Sequence, residues 1–327
     1  MNNAKLMSTD EVAGLLAAGH TLLVAGDRRA LARLPRGSWI GGTIPYFMTE
    51  AGGVVDRDNV FANVLPPDMS LDSVRLYDAG GLRGVYQDGP EGGASFIIIP
   101  ASSAPHLAFA QEAQEYPGFL DKPLVGWISG VHLEDLGAAS PAVVDGTTGE
   151  VSEDKAVVMH CRLAADRTAR LDIVNLFTQG GGDTLTFEQA GFSVGEVLVN
   201  GVPRSFASYL TEKGIDTKLP LVADYYGAMI NVSFQAVDAD ADEVKLYAPV
   251  FPGVEYRIAA PVADYVSAFA AVVPDEAEGA SFACNCILNY VYGGLEGQRT
   301  KGAVGPVTFG EIAYQLLNQT FVYLQLA

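Results

Sequence analysis

Short strand-like segments with little room for helices between them dominate the middle of this chain. They cover residues 156–163, 170–177, 184–187 and 194–199. Consecutive strands joined by short turns are expected to pair antiparallel, because a parallel crossover needs a dozen or more residues. Strand-like and helical patterns alternate on either side of this run. The pattern predicts an α+β protein with mixed, largely antiparallel sheets covered by helices, and it allows a layered αββα sandwich.

The composition supports a large folded core. Of the 327 residues 49% are hydrophobic and only 18% are charged, which excludes a disordered chain. The length suffices for one large domain or two ordinary ones. The Asn200-Gly201 turn signal lies where the alternation gives way, and we therefore predict an N-terminal domain at 1–195 and a C-terminal domain at 196–327. No linker-like segment separates them, so we expect two interlocked halves.

The charge excludes some classes of partner. The chain has 20 Lys and Arg against 39 Asp and Glu, a net charge of -19. Such a chain lacks the basic surface that binds nucleic acid, and it is repelled by anionic membranes. No segment approaches the ~20 apolar residues of a membrane span, and the N-terminus does not resemble a signal peptide. Three cysteines do not form a disulfide framework. We expect a cytoplasmic protein that binds neither nucleic acid nor membranes.

Several local elements follow from cap and periodicity signals. Ser8 or Thr9 followed by Glu11 predicts a capped first helix that ends at Gly19. Apolar alternation and helical spacing predict the other elements. Strands are predicted at 21–25, 59–65, 95–99, 124–129, 228–237, 243–248, 254–259, 281–292 and 321–326, and helices at 105–116, 205–212 and 262–272.

A lone carboxylate lies near the C-terminus, in the turn Phe309-Gly310-Glu311 that precedes the terminal strand. A buried carboxylate needs a partner or a ligand. Glu311 can bind an amine or hydroxyl group of a ligand, with Gly310 allowing close approach of the backbone. It can equally cap the backbone amides of the turn at 308–310. The sequence leaves both interpretations open.

Two cysteines precede this turn. Cys284 and Cys286 are two residues apart on a predicted strand, so their thiols share one face. A metal site needs further ligands, and the four histidines show no metal-binding spacing. Small apolar packing is the favoured interpretation. We expect no metal, no cofactor and no catalytic residue.

The segment Gly41-Gly42-Thr43, with Tyr46 just after it, is a second candidate. Two glycines inside an extended segment suit the close approach of a ligand or another strand. The alternative is a bulge in a packed strand. Aromatic residues at 225–227 and 290–294 either line a pocket or pack in the core.

These motifs together resemble the FIST (F-box and intracellular signal transduction) family of sensory, ligand-binding domains. The resemblance is carried by Phe309-Gly310-Glu311, Val199-Asn200-Gly201-Val202-Pro203 with Phe206 and Tyr209-Leu210, Leu219-Pro220-Leu221, Phe282-Ala283-Cys284-Asn285-Cys286 and Ile40-Gly41-Gly42-Thr43. A basic residue expected after the family's cysteine is absent, since Asn289 and Tyr290 stand there. Motif matches of this kind are hypotheses.

The resemblance implies a sensory module that binds a small, amino-acid-like metabolite in a cleft between its halves and signals to another protein. The implied ligand-binding residues are Gly41, Gly42, Thr43, Tyr46, Cys284, Asn285, Cys286, Gly310 and Glu311. One alternative is a hydrolase-like enzyme with Glu311 as general base, and another is a scaffold protein without a ligand. The sequence leaves enzymatic activity open and favours a binding protein.

Overall fold

The structure, a computed structural model, describes residues 4–225 and 228–327. Its first fourteen strands, in chain order, are β1 (Ala4–Met7), β2 (Leu22–Gly26), β3 (Trp39–Thr43), β4 (Tyr46–Thr49), β5 (Gly52–Val55), β6 (Val60–Val64), β7 (Met69–Tyr77), β8 (Ala94–Pro100), β9 (Leu124–Ser129), β10 (Val143–Asp145), β11 (Glu150–Ser152), β12 (Ala156–Leu163), β13 (Ala169–Val174) and β14 (Leu185–Thr186).

The later strands are β15 (Gly191–Val194), β16 (Glu196–Val199), β17 (Val202–Ser205), β18 (Leu221–Tyr225), β19 (Ala228–Val232), β20 (Phe234–Asp238), β21 (Glu243–Val250), β22 (Tyr256–Ile258), β23 (Phe282–Cys286), β24 (Gly305–Thr308), β25 (Glu311–Ala313), β26 (Gln315–Leu317) and β27 (Phe321–Leu326). The α-helices are α1 (Thr9–Ala17), α2 (Arg28–Leu31), α3 (Ala104–Glu112), α4 (Phe206–Glu212), α5 (Tyr265–Val272) and α6 (Ile287–Tyr292). Short 3-10 turns lie at Gly81–Gly84, Ala113–Glu115, Leu133–Asp135 and Asp275–Gly279. Among the described residues, no helix combines the length and the apolar character needed to cross a membrane.

The strands form five sheets. Sheet 1 has the order β1-β6-β2-β3-β10-β11, sheet 2 β26-β25-β9-β8-β12-β7, sheet 3 β13-β27-β23-β24-β4-β5, sheet 4 β17-β16-β14-β22-β18-β19 and sheet 5 β15-β21-β20. Most neighbouring strands are antiparallel, and β2 with β3, β8 with β9 and β23 with β24 are parallel. The fold is therefore α+β, with mixed, largely antiparallel sheets, as the sequence predicts.

The two halves of the chain interlock through hydrogen-bonded strand pairs. Strand β25 pairs with β9, β27 pairs with β13, and β24 pairs with β4. Among the described strands, only those of sheet 1 all come from residues before 196. The other four sheets take strands from both sides of the predicted boundary, and the boundary itself stays a prediction.

Sheet 2 lies at the centre of the layers. One face packs against sheets 1 and 3 through a core that includes Phe96, Trp127 and Phe282. The other face packs against α3 and sheet 4 through a second core that includes Ile97 and Phe109. Helix α2 contacts β2 and β3 on the outer face of sheet 1. Helix, sheet, sheet and helix thus follow one another as layers, with further sheets beside α3.

Two local signals of the sequence are confirmed in detail. Helix α1 starts with a full capping box, in which the Ser8 side chain accepts from the Glu11 amide and the Glu11 carboxylate accepts from the Ser8 amide. Strands β16 and β17 form a hairpin whose turn is Asn200-Gly201. Both turn residues have positive φ, 50° and 80°, which a type I′ turn requires.

Two expectations are wrong. The strand predicted at 281–292 ends at Cys286, and α6 follows at once. Ile287, Leu288, Asn289 and Tyr290 are all buried, and an apolar run of this length fits a buried helix as well as a strand.

In the middle run, the strands predicted at 184–187 and 194–199 pair antiparallel as expected, as β14 and β16. The strands predicted at 156–163 and 170–177 do not pair with each other. Strand β12 pairs with β7 and β8 in sheet 2, whereas β13 pairs with β27 in sheet 3. The short connection between β12 and β13 changes sheets instead of forming a hairpin. Turn length alone did not reveal this, because the partner strands lie far away in the sequence.

The contact between sheets 1 and 2 makes a stability prediction. A Cβ atom at Gly42 would lie 2.6 Å from Ile98 Cγ2 and 2.9 Å from Trp127 Nε1. We expect Gly42→Ala to destabilise the protein by about 1–3 kcal/mol in urea unfolding, because it overpacks the interface. The control is Gly14→Ala, at an exposed position in α1 with no atom within 4 Å of the new Cβ, which should stabilise by about 0.5–1 kcal/mol. An unchanged midpoint for Gly42→Ala would contradict the close packing.

Candidate functional site

The predicted site residues form two groups in the structure. The C-terminal group lies between sheets 2 and 3. Glu311 is the register partner of Trp127 in sheet 2, and the Cys284 thiol of sheet 3 donates to the Gly126 carbonyl at 3.4 Å. The Cys286 thiol lies near the Glu311 carboxyl group and lowers its pKa, without reaching hydrogen-bond geometry. The structure therefore brings Glu311, Cys284 and Cys286 together.

Glu311 has no exposed surface, and its two carboxyl oxygens differ. Oε2 accepts from the Thr320 amide at 3.1 Å and from the Thr320 hydroxyl at 2.7 Å. Oε1 has no hydrogen-bond partner among the described residues. Burial raises the pKa of Glu311 to about 8, although the hydrogen bonds from Thr320 lower it. The carboxyl group is therefore mainly in its neutral form at pH 7.

The hydrogen bonds of Glu311 hold a buried turn. Gln319, beside Thr320, has a φ of +50°, an uncommon conformation for a residue with a side chain. The Gln319 side chain accepts from Ser233 Oγ at 2.7 Å and donates to the Lys218 carbonyl at 3.1 Å. The carboxylate thus caps an amide at Thr320, and not the turn at 308–310 that the sequence suggested.

Asn285 and Gly310 are engaged within the protein. Asn285 Oδ1 accepts from the Cys286 amide at 2.8 Å and from Asn289 Nδ2 at 2.9 Å. The Gly310 carbonyl accepts from the Ile128 amide at 2.8 Å. These contacts join β23 to α6 and β25 to β9.

Both thiols of this group are unreactive. Cys284 and Cys286 are buried and free, as is Cys161. Burial raises the pKa of Cys284 and of Cys286 well above the ordinary value, and the nearby Glu311 raises it further. A protonated thiol is a poor nucleophile and a poor metal ligand.

In the N-terminal group, the two glycines serve packing. Gly42 faces sheet 2, where a Cβ would meet Ile98 and Trp127. Gly41 points to the opposite face, where a Cβ would lie 2.9 Å from the Trp39 ring and 3.0 Å from the Val24 carbonyl. The close approach expected at these glycines is filled by the protein itself.

Thr43 and Tyr46, in contrast, lie at a cavity. Thr43 lines it directly, and Tyr46 stacks on His132, another lining residue, with ring centroids 5.4 Å apart. The Tyr46 hydroxyl accepts from the Leu133 amide at 3.0 Å. Tyr290 packs edge-on against Tyr46. Tyr226 and Gly227, also noted in the sequence, lie outside the described residues.

We call this space the strand-end cavity. It has a volume of about 240 Å³ and is lined by Asp27, Arg28, Arg29, Thr43, Ile44, Pro45, Gly130, Val131, His132, Asp135, Ala139 and Ser140. Its lining begins where β2, β3 and β9 end. Ligands of α/β sheets bind outside the carboxyl ends of parallel strands, and β2 with β3 and β8 with β9 are parallel pairs.

Charged groups of both signs surround the strand-end cavity. Arg28 forms an ion pair with Glu153, and Arg57 contacts the carboxylates of both Asp27 and Asp135. Arg29 lies 3.7 Å from Asp27. Three guanidinium groups and three carboxylates therefore balance here, on a chain with a net charge of -19.

Two neutral donors complete the strand-end cavity. His132 Nδ1 accepts from the Glu134 amide at 3.3 Å, which leaves Nε2 as the donor nitrogen of the ring. Thr43 Oγ1 accepts from the Ala142 amide at 2.9 Å and keeps its hydroxyl proton for donation. Both groups suit an anionic or carbonyl oxygen.

A second cavity adjoins the first. We call it the hairpin cavity, because β10 and β11 form one of its walls. It has a volume of about 230 Å³ and is lined by Arg28, Leu31, Ala32, Leu34, Pro35, Arg36, Trp39, Thr43, Val144, Gly146, Gly149 and Val151. A third cavity of about 150 Å³ lies between α3 and β19. None of these three cavities is lined by Glu311, Cys284 or Cys286.

Four lining residues were not predicted from the sequence: Arg28, Arg29, His132 and Asp135. Their signal was available, because charged or polar residues lie within a few positions after two predicted apolar strands, at 21–25 and at 124–129. In the part of the chain that the structure describes, no group of three or more His, Cys, Asp or Glu side chains could hold a metal ion.

Comparison with known proteins gives a family and no function. A family model described as a family of unknown function (DUF6976) matches residues 7–327, nearly the whole chain. No curated protein matches.

The buried carboxyl group makes a pH prediction. The pKa of Glu311 is raised from 4.5 to about 8 in the folded protein, so the folded state keeps a proton that the unfolded chain releases. The stability due to this proton is complete below about pH 4.5 and is lost as the pH rises to about 8, by up to about 1.4 kcal/mol per pH unit. The measurement is the free energy of unfolding in urea from pH 5 to 9. We expect it to fall with rising pH in the wild type and not in Glu311→Gln.

The matched control is Glu188→Gln, at an exposed glutamate, which should follow the wild-type profile. Parallel profiles for wild type and Glu311→Gln would show that Glu311 is ionised in the folded protein.

Proposed function

This chain belongs to the DUF6976 family, whose description assigns no function, and we propose that it is a binding protein for a small carboxylate metabolite, amino-acid-like in its head group. The proposed site is the strand-end cavity. The single observation that carries the proposal is this cavity of about 240 Å³ at the ends of β2, β3 and β9, with Arg28, Arg29 and His132 around it. Its volume is just below the roughly 300–1,000 Å³ of small-molecule pockets.

The proposed carboxylate partner is the guanidinium pair. Arginine binds carboxylates through parallel hydrogen bonds, and Arg28 and Arg29 both line the cavity. The His132 Nε2 proton and the Thr43 hydroxyl supply neutral donors beside them. The strongly acidic remainder of the protein repels anions, whereas the three arginines around this cavity balance the three carboxylates beside them, so an anion is repelled less here.

The proposed ammonium partners are Asp27 and Asp135. Both carboxylates line the cavity and share Arg57. Arg29 also lies 3.7 Å from Asp27, so two guanidinium groups balance the two carboxylates. Each carboxylate has about four acceptor sites, so it can also accept from an ammonium group of a ligand. An amino acid carries both groups, and for this reason we favour it over a simple organic acid.

We retain the sensory role and the cytoplasmic location as part of the proposal. The resemblance to FIST domains supports the sensory role, and a signalling protein would be the partner. Three free, buried cysteines are compatible with a reducing compartment. Thr43 and Tyr46, two residues of that resemblance, lie at or beside the cavity.

The proposal gives Glu311 a structural role. Glu311 holds Thr320 and lines none of the three cavities, so we do not carry forward a general-base function for it. A scaffold protein without a ligand remains the rival, and a binding experiment separates the two.

The test is a thermal-shift screen against the twenty amino acids and small carboxylic acids. A ligand at about a hundredfold excess over its Kd should stabilise the protein by about 2.7 kcal/mol and raise Tm by several degrees. We expect Arg28→Ala to weaken binding about tenfold or more, because a charged hydrogen bond is lost.

The matched control is Arg170→Ala, because Arg170 is likewise exposed and paired with a carboxylate, that of Asp172. It should bind like wild type. If no compound shifts Tm, or if both variants bind equally, the proposal fails and the scaffold interpretation gains.

A further inference from the structure

We infer that the ligand of the strand-end cavity carries an apolar tail, which occupies the hairpin cavity. This inference rests on the proposed function and deepens it, because it names the ligand class: an amino acid or similar carboxylate with an extended aliphatic side chain.

The two cavities meet at shared residues. Arg28 and Thr43 line both of them. Thr43 is the last residue of β3, and Trp39, four residues earlier on the same face of the strand, lines the hairpin cavity alone. A ligand whose carboxylate lies at Arg28 would therefore pass from one cavity to the other beside these two shared residues.

The hairpin cavity has the chemistry of a tail site. Apart from Arg28, Arg36 and Thr43, its lining side chains are apolar or are glycine. The polar atom of the Trp39 indole is already used, since Nε1 donates to the Pro35 carbonyl at 2.9 Å. The exposed Arg36 lies at the rim. An apolar chain loses no hydrogen bond on entering such a space, whereas a polar chain would.

The walls of the hairpin cavity are preformed. The Gly146 amide donates to the Trp39 carbonyl, and the Gly37 amide donates to the Gly146 carbonyl, both at 2.9 Å. Gly146 lies directly on the Trp39 ring, where a Cβ would come within 2.4 Å of ring atoms. Asp145 Oδ1 accepts from the amide and the hydroxyl of Thr147. A rigid wall costs little ordering entropy when a ligand binds.

The size of the hairpin cavity limits the tail. Its volume of about 230 Å³ exceeds the roughly 150 Å³ of an engineered apolar cavity that binds benzene, a ligand of six carbon atoms. A tail of up to about six carbon atoms fits, and a longer one would reach solvent.

The test uses calorimetric titration of the full chain with glycine, 2-aminobutanoate, 2-aminohexanoate and 2-aminooctanoate. We expect Kd to fall about fourfold for each added methylene until the cavity is full. A second comparison uses 2-aminohexanedioate, in which a carboxylate replaces the terminal methyl group of 2-aminohexanoate and which should bind more weakly.

Matched variants locate the tail. Val151 lines the hairpin cavity and is 47% exposed, and Val202 is a 60% exposed valine on another strand, outside all three cavities. We expect Val151→Gln to reduce the gain per methylene to less than twofold while leaving the glycine Kd unchanged. Val202→Gln should give the same Kd values as the wild type for all four compounds.

Four results would overturn the inference. An equal Kd for all four compounds would show that no tail binds in the hairpin cavity, while the proposed function would still hold. Tighter binding of 2-aminohexanedioate would make the hairpin cavity an anion site around Arg36. If Kd still falls about fourfold per methylene in Val151→Gln, the tail binds outside the hairpin cavity. Failure of every compound to bind would remove the proposed function itself.

Discussion

Pairing of the C-terminal strands with strands far earlier in the chain is the constraint on which the rest of the structure depends. Strands β27, β23 and β24 form the middle of sheet 3, between β13 on one side and β4 on the other. Sheet 3 therefore cannot form without the end of the chain. Sheet 2 depends less on the end of the chain, because β25 and β26 only add two strands at its edge, next to β9. The entropy of closing such long loops grows only slowly with their length, and the shared core repays it.

The same interface explains the buried carboxyl group. Glu311 lies on β25, where sheets 2 and 3 meet, and burial there strongly disfavours its charge. The protein reduces that cost through the raised pKa, which keeps the group partly neutral, and through the two hydrogen bonds from Thr320. In return, the carboxyl group fixes a turn that contains a positive φ at Gln319. A buried, poorly paired carboxylate can thus be a structural element, and burial alone does not identify a ligand site.

The sequence predicted elements whose signals are local. The capping box of α1 and the Asn200-Gly201 turn depend on residues within a few positions of each other, and strand β12 was found at its observed bounds. The strand predicted at 281–292 failed, because a short buried run does not distinguish helix from strand. In the candidate site, Thr43 and Tyr46 were found, whereas Arg28 and His132 were missed. Arg28 begins α2 after β2, whereas His132 follows β9, and only the packing of sheets 1 and 2 brings the two together.

What the sequence determined by itself is the fold class, the acidic surface and the local turns and caps, since composition, period and neighbouring residues decide these. The tertiary structure alone decided which strands are neighbours, because pairing depends on complementary faces that are distant in the chain. It also decided that Glu311 meets Thr320 and that Gly42 meets Trp127, so that both are engaged within the protein. The open space lies elsewhere, at the strand ends, because loops leave backbone and polar groups uncovered where regular packing stops.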